Sequence, residues 1–421
     1  NAAIRSNIMM LDSQHTKWLT MSPNVFVDII NDSLILLYNT NGGIVKISRD
    51  EKLINLIKML YTPINLGVVK YEILDKYKSR DIDWALKNGV IGIDESDVKP
   101  IICLPILNLQ KDINKFNDNG IESRLQLIGS KLKYISGAFI RLSNMIDKGN
   151  SLLKRLRSIA ATQHPCPSYE DSAASLTLDQ LRILIDNLKL TSVATIDIIF
   201  SNNFLERYSC EELVGLLSKY NFAYRVHLYS EDYETIVTSI NKIDIKLNLS
   251  FIVYQDRFSS NDKFYTFNSA YNCDQKYLAY DEQDIMFNMG VILPVWTGNN
   301  QEMFSKYVYT ELSDIEETKI NLNALFRNKK LNSNFYGLID IAPDGNVYAH
   351  GSKKSIANVN DKGFSLVDVV IDEFKENRTW RLTRDCTKCK LCPYRFVCPP
   401  VSIFEIQSNQ IKMCHINYNE L

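Results

Sequence analysis

The sequence lacks the features of a membrane-spanning, secreted or strongly charged protein. In 421 residues no apolar run approaches the ~18 that a transmembrane helix needs, and the start of the chain has no continuous apolar segment like that of a secretory signal. Lysine and arginine number 48 against 49 aspartates and glutamates, so no net charge attracts nucleic acid or an anionic membrane. We therefore predict a cytoplasmic protein with neither nucleic acid nor a membrane among its partners.

Glycine and proline are also sparse, and nucleotide-binding loops are missing. The 16 glycines, 11 prolines and 45% hydrophobic residues are typical of a folded globular protein and exclude a disordered or collagen-like chain. No Walker loop and no G-x-G-x-x-G fingerprint occurs, so no recognisable loop would hold a nucleotide phosphate. At ~150 residues per domain, the length predicts two to three domains.

From about residue 133 to residue 298, predicted strands alternate with predicted helices. Two of the helices begin with capping boxes, formed by Thr177 with Gln180 and by Ser209 with Glu212. Such alternation predicts an α/β fold with parallel strands, either a doubly wound sheet or a complete or partial barrel. The predicted strands cover 133–142, 193–200, 223–229, 246–254 and 291–296.

The first part of the chain has the pattern of a small unit in which a hairpin is followed by helices. That order is typical of a winged helix-turn-helix, and it also suits an N-terminal cap with no binding role. DNA binding is disfavoured because the second helix offsets its lysines with Glu72 and Asp75. The predicted strands are 25–30, 34–38 and 44–47, and the predicted helices are 50–60, 68–77 and 81–88.

The last part of the chain combines a helix at 301–312, a hairpin around Pro343-Asp344-Gly345 and a helix at 365–376 with a cysteine-rich tail. These changes of pattern predict three domains. They are a winged-helix-like domain at 1–98, a barrel-like domain at 99–300 and a metal-binding domain at 301–421.

Cysteine is sparse except near the end of the chain. Five of the nine cysteines fall between residue 386 and the end. Cys389, Cys392, Cys398 and Cys414, called here the four-cysteine set, offer four thiolates, and the C-x2-C pair can hold one metal centre from a tight turn. Four sulfurs suit tetrahedral zinc or an iron-sulfur cluster, and spacing alone does not choose between them. Reduced cysteines in a packed tail are the alternative.

A longer pattern surrounds these cysteines and continues upstream. It comprises Trp380-Arg381-x2-Arg384-x-Cys386-x2-Cys389-x2-Cys392-x-Tyr394-x3-Cys398-Pro399-Pro400, Cys414-His415 and Pro343-Asp344-Gly345-Asn346-Val347-Tyr348. This pattern resembles the SPASM domain of peptide-modifying radical SAM maturases. With Lys17-Trp18-Leu19, Leu37-Tyr38-Asn39-Thr40 and the segment 105–112, the whole chain is similar to the pseudo-radical-SAM/SPASM-domain proteins of Bacteroidales double-glycine peptide maturation systems. The resemblance implies a partial (β/α) barrel of radical SAM type between a winged helix-turn-helix-like domain and a SPASM-like domain.

The resemblance further implies one metal centre, whereas typical SPASM domains hold two 4Fe-4S clusters. Residues expected to bind the first cluster are replaced by His350 and Ser402, and Ser333 or Asn334 stands near a third such position. The ligands of the second cluster correspond to the four-cysteine set, which predicts one 4Fe-4S cluster, with zinc as the alternative. Cys386 is a spare thiol that could substitute as a ligand, and His415 is expected to lie beside the centre rather than in it.

Two parts of the cofactor-binding machinery of the active enzymes are missing. A radical SAM enzyme holds its catalytic cluster with a C-x3-C-x2-C motif, and no such triple occurs in this sequence. The loop 143–175, where the motif would lie, has only Cys166, and Ser201-Asn202-Asn203 replaces a Gly-Gly-Glu-type contact with SAM. We therefore expect no SAM cofactor, no independent radical SAM activity and no catalytic residue.

Two other side chains deserve consideration as reactive groups. Cys210 lies at a predicted helix start, where the helix dipole could lower its pKa, although a small residue in a first turn needs no special reason. His227 lies in a predicted strand, and we expect it to be a hydrogen-bonded histidine of the core or the barrel lumen rather than a ligand.

In the family that the chain resembles, a winged-helix element binds the leader of a precursor peptide, which adds a strand to a sheet edge. The resemblance places this edge at 43–47, with Gly43, Val45 and Ile47 as contacts and Tyr71 on a facing helix at 68–77. We predict a non-catalytic protein that binds a ribosomally synthesised precursor peptide and assists its maturation beside an active peptide-modifying enzyme. The alternatives are an electron-transfer iron-sulfur protein serving a partner maturase and a zinc-stapled structural interaction protein.

Overall fold

A computed structural model of the protein describes residues 16–105, 131–143, 175–199, 205, 207–256, 271–287, 290–409 and 412–417. Cys166 and Ser201-Asn202-Asn203, which the sequence analysis connected with SAM, lie outside these residues. The described part contains one sheet of nine strands and two sheets of three. Within it, no helix combines the length and the apolar character that crossing a membrane would require.

The N-terminal unit contains the two small sheets and two α-helices. Strands β2, β3 and β4 form one antiparallel sheet, and β1 lies between β5 and β6 in the other. Both helices begin at capping residues, Asp50 and Ser79. The strands are β1 (Lys17–Met21), β2 (Val25–Ile30), β3 (Leu34–Asn39), β4 (Ile44–Ser48), β5 (Val68–Lys70) and β6 (Ile91–Glu95), and the α-helices are Glu51–Leu60 and Arg80–Lys87.

The helix predicted at 68–77 is wrong. Val68 and Val69 are buried in strand β5, and the chain continues as a 3-10 helix at Tyr71–Lys76. The reason is tertiary, since β5 pairs with β1, and two adjacent valines suit a buried strand better than a helix. Strand β1 lies almost fifty residues upstream and was not predicted, so the sequence near residue 68 gave no sign of its partner.

The central sheet carries the α/β part of the fold. Its strands are β7 (Gly137–Arg141), β8 (Thr195–Ile199), β9 (Ala223–Tyr229), β10 (Leu249–Gln255), β11 (Asn272–Ala279), β12 (Val291–Pro294), β13 (Leu338–Ile341), β14 (Asn346–Ala349) and β15 (Ala357–Asn358). They stand in the order β12-β11-β10-β9-β8-β7-β13-β14-β15. All neighbours from β12 to β13 pair in parallel, and only β14 and β15 are antiparallel. The predicted α/β class is therefore confirmed.

Between β7 and β12 the strands are neighbours in the order of the sequence, so the winding does not reverse as it does in a doubly wound sheet. The connecting helices Leu178–Leu188, Cys210–Leu217 and Ser230–Asn241 share one apolar core with alternate residues of these strands. The first two helices have the predicted capping boxes. These three helices consequently cover one face of the sheet, and the other face carries a different set of side chains.

That second face carries buried polar groups at positions alternating with the apolar ones. Asp197 of β8, His227 of β9 and Tyr254 of β10 are 3–4% exposed, and Arg141 of β7 is 2% exposed. His227 contacts Asp197 Oδ1 through Nε2 at 2.7 Å and Tyr254 Oη through Nδ1 at 2.8 Å. The expectation of a hydrogen-bonded histidine at position 227 is therefore confirmed.

The remainder of the chain extends the central sheet and then leaves it. The helix predicted at 301–312 is two helices, because Thr310 between them pairs with Cys414 near the chain end. Strands β13 to β15 belong to the central sheet, so the sheet continues across the boundary predicted at residue 300. The α-helices of this part are Gln301–Tyr307, Leu312–Glu317, Leu322–Asn328, Leu366–Glu376 and Ile403–Gln407.

Candidate metal centre

Three short 3-10 helices shape the backbone around the predicted metal ligands, at Arg384–Cys386, Lys388–Leu391 and Pro393–Phe396. The Thr387 hydroxyl accepts a hydrogen bond from Cys389 N at 3.1 Å, and Cys392 N donates to the Cys389 carbonyl at 2.8 Å. Pro393 begins the last of the three with its φ already restricted. The segment therefore turns tightly between one cysteine and the next.

The fourth cysteine comes from a separate segment. Residues 412–417 run beside Thr310, whose N donates to the Met413 carbonyl at 3.1 Å and whose carbonyl accepts from His415 N at 3.0 Å. Cys414 is thereby fixed to the chain between two helices and packs against the same apolar cluster as the other three cysteines.

Three of the four thiols are buried. Cys389, Cys392 and Cys398 are 7%, 9% and 7% exposed, Cys414 is half-buried, and none of the four forms a disulfide. They belong to a cluster, called here the tail core, that contains residues from both ends of the chain. Its buried members are Phe26, Leu36, Tyr38, Ile315, Leu325, Cys389, Cys392, Tyr394, Phe396, Val397, Cys398 and Ile416.

The four thiols of the set influence one another's ionisation. Burial raises the pKa of Cys392 to about 11, and the thiols of Cys389 and Cys414 contribute to the rise. Burial raises the pKa of Cys398 to about 12, with contributions from the other three cysteines of the set. A cation would be needed to keep several such thiolates ionised in this apolar surrounding.

A buried arginine supplies one positive charge beside them. Arg384 is 8% exposed, and its Nη1 lies 3.8 Å from Cys389 Sγ and 2.9 Å from Glu405 Oε1. Burial lowers the pKa of Arg384, but the charges of Glu405, Cys398 and Cys389 outweigh burial, and the pKa lies above its ordinary value. Arg384 is therefore placed to offset negative charge on the cysteines.

Among the described residues, no group of three or more histidine, cysteine, aspartate or glutamate side chains has an arrangement that could hold a metal ion. The four-cysteine set thus stays a predicted ligand set. Its residue types fit the prediction, because the four cysteines pack on one apolar cluster and cysteine is the ligand that structural zinc and iron-sulfur clusters use.

Two residues predicted beside the centre lie at its margin. Cys386 is exposed, and its thiol lies 3.6 Å from the Thr383 hydroxyl. The His415 ring contacts the Ser305 carbonyl through Nε2 at 2.7 Å and packs 5.3 Å from the Tyr309 ring. Neither side chain is part of the tail core.

The three positions that the resemblance connects with a lost cluster do converge in the fold. A methyl group on Gly351 would lie 3.2 Å from Ile403 Cδ1 and 3.3 Å from Phe335 Cε1, so the segments around residues 334, 350 and 402 meet.

The polar side chain at each position has a partner within the protein. His350 Nδ1 lies 2.8 Å from Asp340 Oδ2, Asn334 Nδ2 donates to the Val401 carbonyl at 3.2 Å, and Ser402 caps the helix that follows it. The His350 ring also stacks on Phe139 with a centroid distance of 4.9 Å. The side chains at these three positions are therefore held by hydrogen bonds and ring contacts within the protein.

The predicted peptide contacts on strand β4 lie around an open sheet edge. In the described part of the chain β4 pairs with β3 alone. Gly43 adopts φ +65°, and a methyl group there would lie 3.6 Å from Lys319 Cγ. Val45 and Ile47 are half-buried and pack against the tail core, so one face of β4 rests on the C-terminal part of the chain.

The structure does not place Tyr71 on a helix that faces β4. Tyr71 begins the 3-10 helix that packs along β1, in the other three-stranded sheet. The helix beside β4 is Arg80–Lys87, whose Asp81 Oδ1 lies 3.0 Å from Lys46 Nζ and accepts a hydrogen bond from Ser48. Lys46 Nζ also lies 5.6 Å from the ring centroid of Trp84. Sequence reasoning missed Lys46 and Trp84 because it assigned the facing role to the wrong helix.

Cys210 has no sign of a reactive thiol. It is the first residue of the helix Cys210–Leu217, but burial raises its pKa, which is opposite to the shift that a nucleophile needs. Its side chain packs against the main apolar core.

A scan against protein-family models finds no match, and a search of curated proteins finds no relative.

Proposed function

We propose that this chain is a pseudo-radical-SAM/SPASM-type protein that binds the leader of a ribosomally synthesised precursor peptide. In this proposal the protein assists maturation of the peptide beside an active modifying enzyme and does not cleave SAM. The observation that carries the proposal is the open edge of β4 between the helix Arg80–Lys87 and the tail core.

The geometry of that edge suits an added strand. One face of β4 presents Lys46 and Ser48 to the helix, and the other presents Val45 and Ile47 to the tail core. A peptide strand paired with β4 would continue the sheet between these two walls. Backbone hydrogen bonds would then supply affinity, and side chains alternating between Trp84 and the tail core would supply selectivity.

Two further observations support the radical-SAM-type part of the proposal. The six strands from β7 to β12 are parallel and in sequence order, which is the arrangement of a (β/α) barrel that is opened or incomplete. The four-cysteine set lies after this sheet in the chain, as a SPASM-like domain would. When bound, a 4Fe-4S cluster would supply electron transfer and zinc would supply a structural cross-link.

The proposal is tested by titrating the protein with a fluorescein-labelled synthetic double-glycine leader peptide and measuring anisotropy. We expect a dissociation constant of about 10 µM or lower for a specific leader. Absence of binding up to about 100 µM would rule out the proposed function.

A pair of variants on one helix locates the site. Trp84→Ala should weaken peptide binding about tenfold, because an aromatic wall of the cleft is lost. Asp83→Ala changes the exposed neighbouring residue and should leave the affinity within about twofold. Equal effects of the two substitutions would place the peptide elsewhere.

The metal is tested with anaerobically purified protein by metal analysis and visible spectroscopy. We expect one metal centre per chain in the native protein and its loss in Cys392→Ser, which removes a buried thiol of the set. Cys386→Ser changes an exposed thiol and should retain the metal. Full metal content in Cys392→Ser would show that the ligand set is different.

A further inference from the structure

The predicted metal ligands and the strands of the small β2-β3-β4 sheet share the tail core. Phe26 of β2 packs edge-on against Phe396 at 6.2 Å and Phe326 at 5.4 Å between ring centroids. Leu36 and Tyr38 of β3 are fully buried in the same cluster as Cys389, Cys392 and Cys398. The sheet that offers the open edge is therefore packed directly on the cysteine-containing segment.

Polar contacts join the same two parts of the chain. The Tyr38 hydroxyl donates to the Thr318 carbonyl at 3.2 Å and accepts from Ile320 N at 3.0 Å. Asp28 of β2 is 5% exposed, and its Oδ2 lies 2.6 Å from Arg395 Nη2. Arg395 lies between Cys392 and Cys398, so a shift of this segment would move the partner of a buried carboxylate.

The cysteine-containing segment has little secondary structure to keep it in place. Its helical parts are 3-10 helices of three and four residues, which are too short to be stable on their own. A metal held by four thiolates would cross-link the segment to itself and to Cys414, and its binding free energy would order the backbone. Ordering would then extend to whatever packs on that segment.

We propose that metal binding by the four-cysteine set rigidifies the β2-β3-β4 sheet and thereby increases the affinity of the β4 edge for peptide. The mechanical half of this proposal stands on the shared tail core and on the contact between Asp28 and Arg395, and the peptide half rests on the proposed function. The coupling is reciprocal, so bound peptide should in turn strengthen metal retention by the same factor.

Hydrogen exchange measured by mass spectrometry tests the mechanical half without any peptide. The protein is stripped with a chelator under reducing conditions and then titrated with Zn²⁺ alone. Amides of β3 and β4 should exchange at least about tenfold more slowly with zinc, whereas amides of β1 and β6, in the sheet outside the tail core, should change much less. Failure to bind zinc, or equal changes in both sheets, would overturn the proposal.

An uncoupling variant separates local ordering at the cysteines from its transmission. Asp28→Asn removes the charge that holds Arg395, and it should bind zinc with unchanged stoichiometry while losing most of the added protection of β3 and β4. Lys17→Met, which removes an exposed ion pair of β1 with Glu95, is the matched control and should behave as the native protein does. Full protection of β3 and β4 in Asp28→Asn would overturn transmission through this contact.

Leader-peptide titrations of the zinc-loaded and chelated protein test the second half. We expect about tenfold tighter binding to the loaded protein, within the usual range of coupling between sites. Equal affinity in the two forms would refute the coupling and leave the proposed function intact. No binding to either form would refute the proposed function, and hydrogen exchange would still decide the mechanical half.

Discussion

At the scale of single residues, burial and hydrogen-bond partners decide which groups on the polar face of the central sheet are charged. Burial raises the pKa of Asp197, but hydrogen bonds from His227 and Arg225 outweigh it, so this carboxylate keeps a lowered pKa. Arg225 Nη2 donates to Asp197 Oδ2 at 2.9 Å. Burial lowers the pKa of His227, and the contact with Asp197 offsets that only in part. His227 is therefore neutral in the fold, with a lowered pKa beside an ionised partner.

This arrangement predicts a loss of stability in mild acid. The pKa of His227 is lowered in the fold from an unfolded value near 6.5, so protons bind preferentially to the unfolded chain as the pH falls below that value. The free energy of unfolding, measured with urea, should fall as the pH is lowered from about 7.5 to about 5.5. His227 should contribute at most about 1.4 kcal/mol per pH unit to this fall. His227→Asn should be less stable near neutral pH but have a flatter profile. An unchanged slope in this variant would assign the acid sensitivity to other groups.

Glu405 shows how burial changes the importance of a capping glutamate. Glu405 and Glu212 close equivalent capping boxes with Ser402 and Ser209, but Glu405 is 2% exposed and also binds Arg384, whereas Glu212 is exposed. Glu405→Gln keeps the shape and leaves Arg384 without its carboxylate partner, which should cost about 3 kcal/mol of unfolding free energy.

Glu212→Gln is the matched control because it makes the same chemical change in the same motif at the surface. It should cost no more than about 0.5 kcal/mol. Both values come from urea unfolding followed by circular dichroism. Similar losses in the two variants would mean that the buried charge pair contributes no more than the cap.

At the scale of elements, strands with a continuous apolar sequence and helices with capping boxes could be predicted. Strand β9 matches its predicted bounds, 223–229, and both predicted capping boxes are present. Strand β11 was missed because its first half, Asn272 to Lys276, is polar and its pairing comes from β10 and β12. Strands β1 and β5 were missed for a different reason, because they pair with each other across almost fifty residues of sequence.

The candidate site divides in a similar way. Cysteine spacing indicated which thiols belong together, and the structure brings all four into contact with one apolar cluster. The buried partner Glu405 left a readable signal, since Ser402-x2-Glu405 is a capping box, but its pairing with Arg384 left none. The helix facing β4 could not be identified from sequence because short amphipathic helices do not encode which strand they cover.

The start of β13 yields a prediction about one backbone position. Gly337 has φ +77°, and a methyl group there would clash with the Tyr134 carbonyl oxygen. Gly337→Ala should therefore lose about 3 kcal/mol or more of unfolding free energy, combining left-handed strain with a clash against the backbone.

Gly363 provides the control, because it has φ +83° and nothing within 4 Å of the added methyl group. Gly363→Ala isolates the conformational part and should cost about 1 kcal/mol. Thermal or urea unfolding of the two variants decides the matter. If the two variants lost equal free energy of unfolding, the close approach of the chain before β13 to the chain before β7 would contribute nothing to the cost of the Gly337→Ala substitution.

At the scale of the whole molecule, an N-terminal and a C-terminal part of the described chain pack on each other. Residues 26 to 47 and residues 315 to 416 share the tail core, and strand β13 joins the later part to β7. The local sequence of β2 does not indicate that its partners lie about 300 residues away. The division into domains predicted at residues 98 and 300 therefore could not take these contacts into account. A ligand at either end is consequently expected to influence the other.

The contact between Asp28 and Arg395, which joins the two parts of the chain, should have a measurable coupling energy. Burial raises the pKa of Asp28 although Arg395 and Lys329 oppose the rise, so the intact pair adds little net stability while the loss of one partner leaves a buried charge. A double-mutant cycle of Asp28→Ala and Arg395→Ala should give single losses near 3 kcal/mol and a coupling energy of about 2 kcal/mol. The exposed pair Lys17 and Glu95, treated in the same way, should give a coupling below about 1 kcal/mol. If the coupling energy of Asp28 and Arg395 were as small as that of Lys17 and Glu95, the β2-β3-β4 sheet would rest on the tail core through apolar contacts alone. The transmission proposed for metal binding would then have to act through Phe26 and Tyr38.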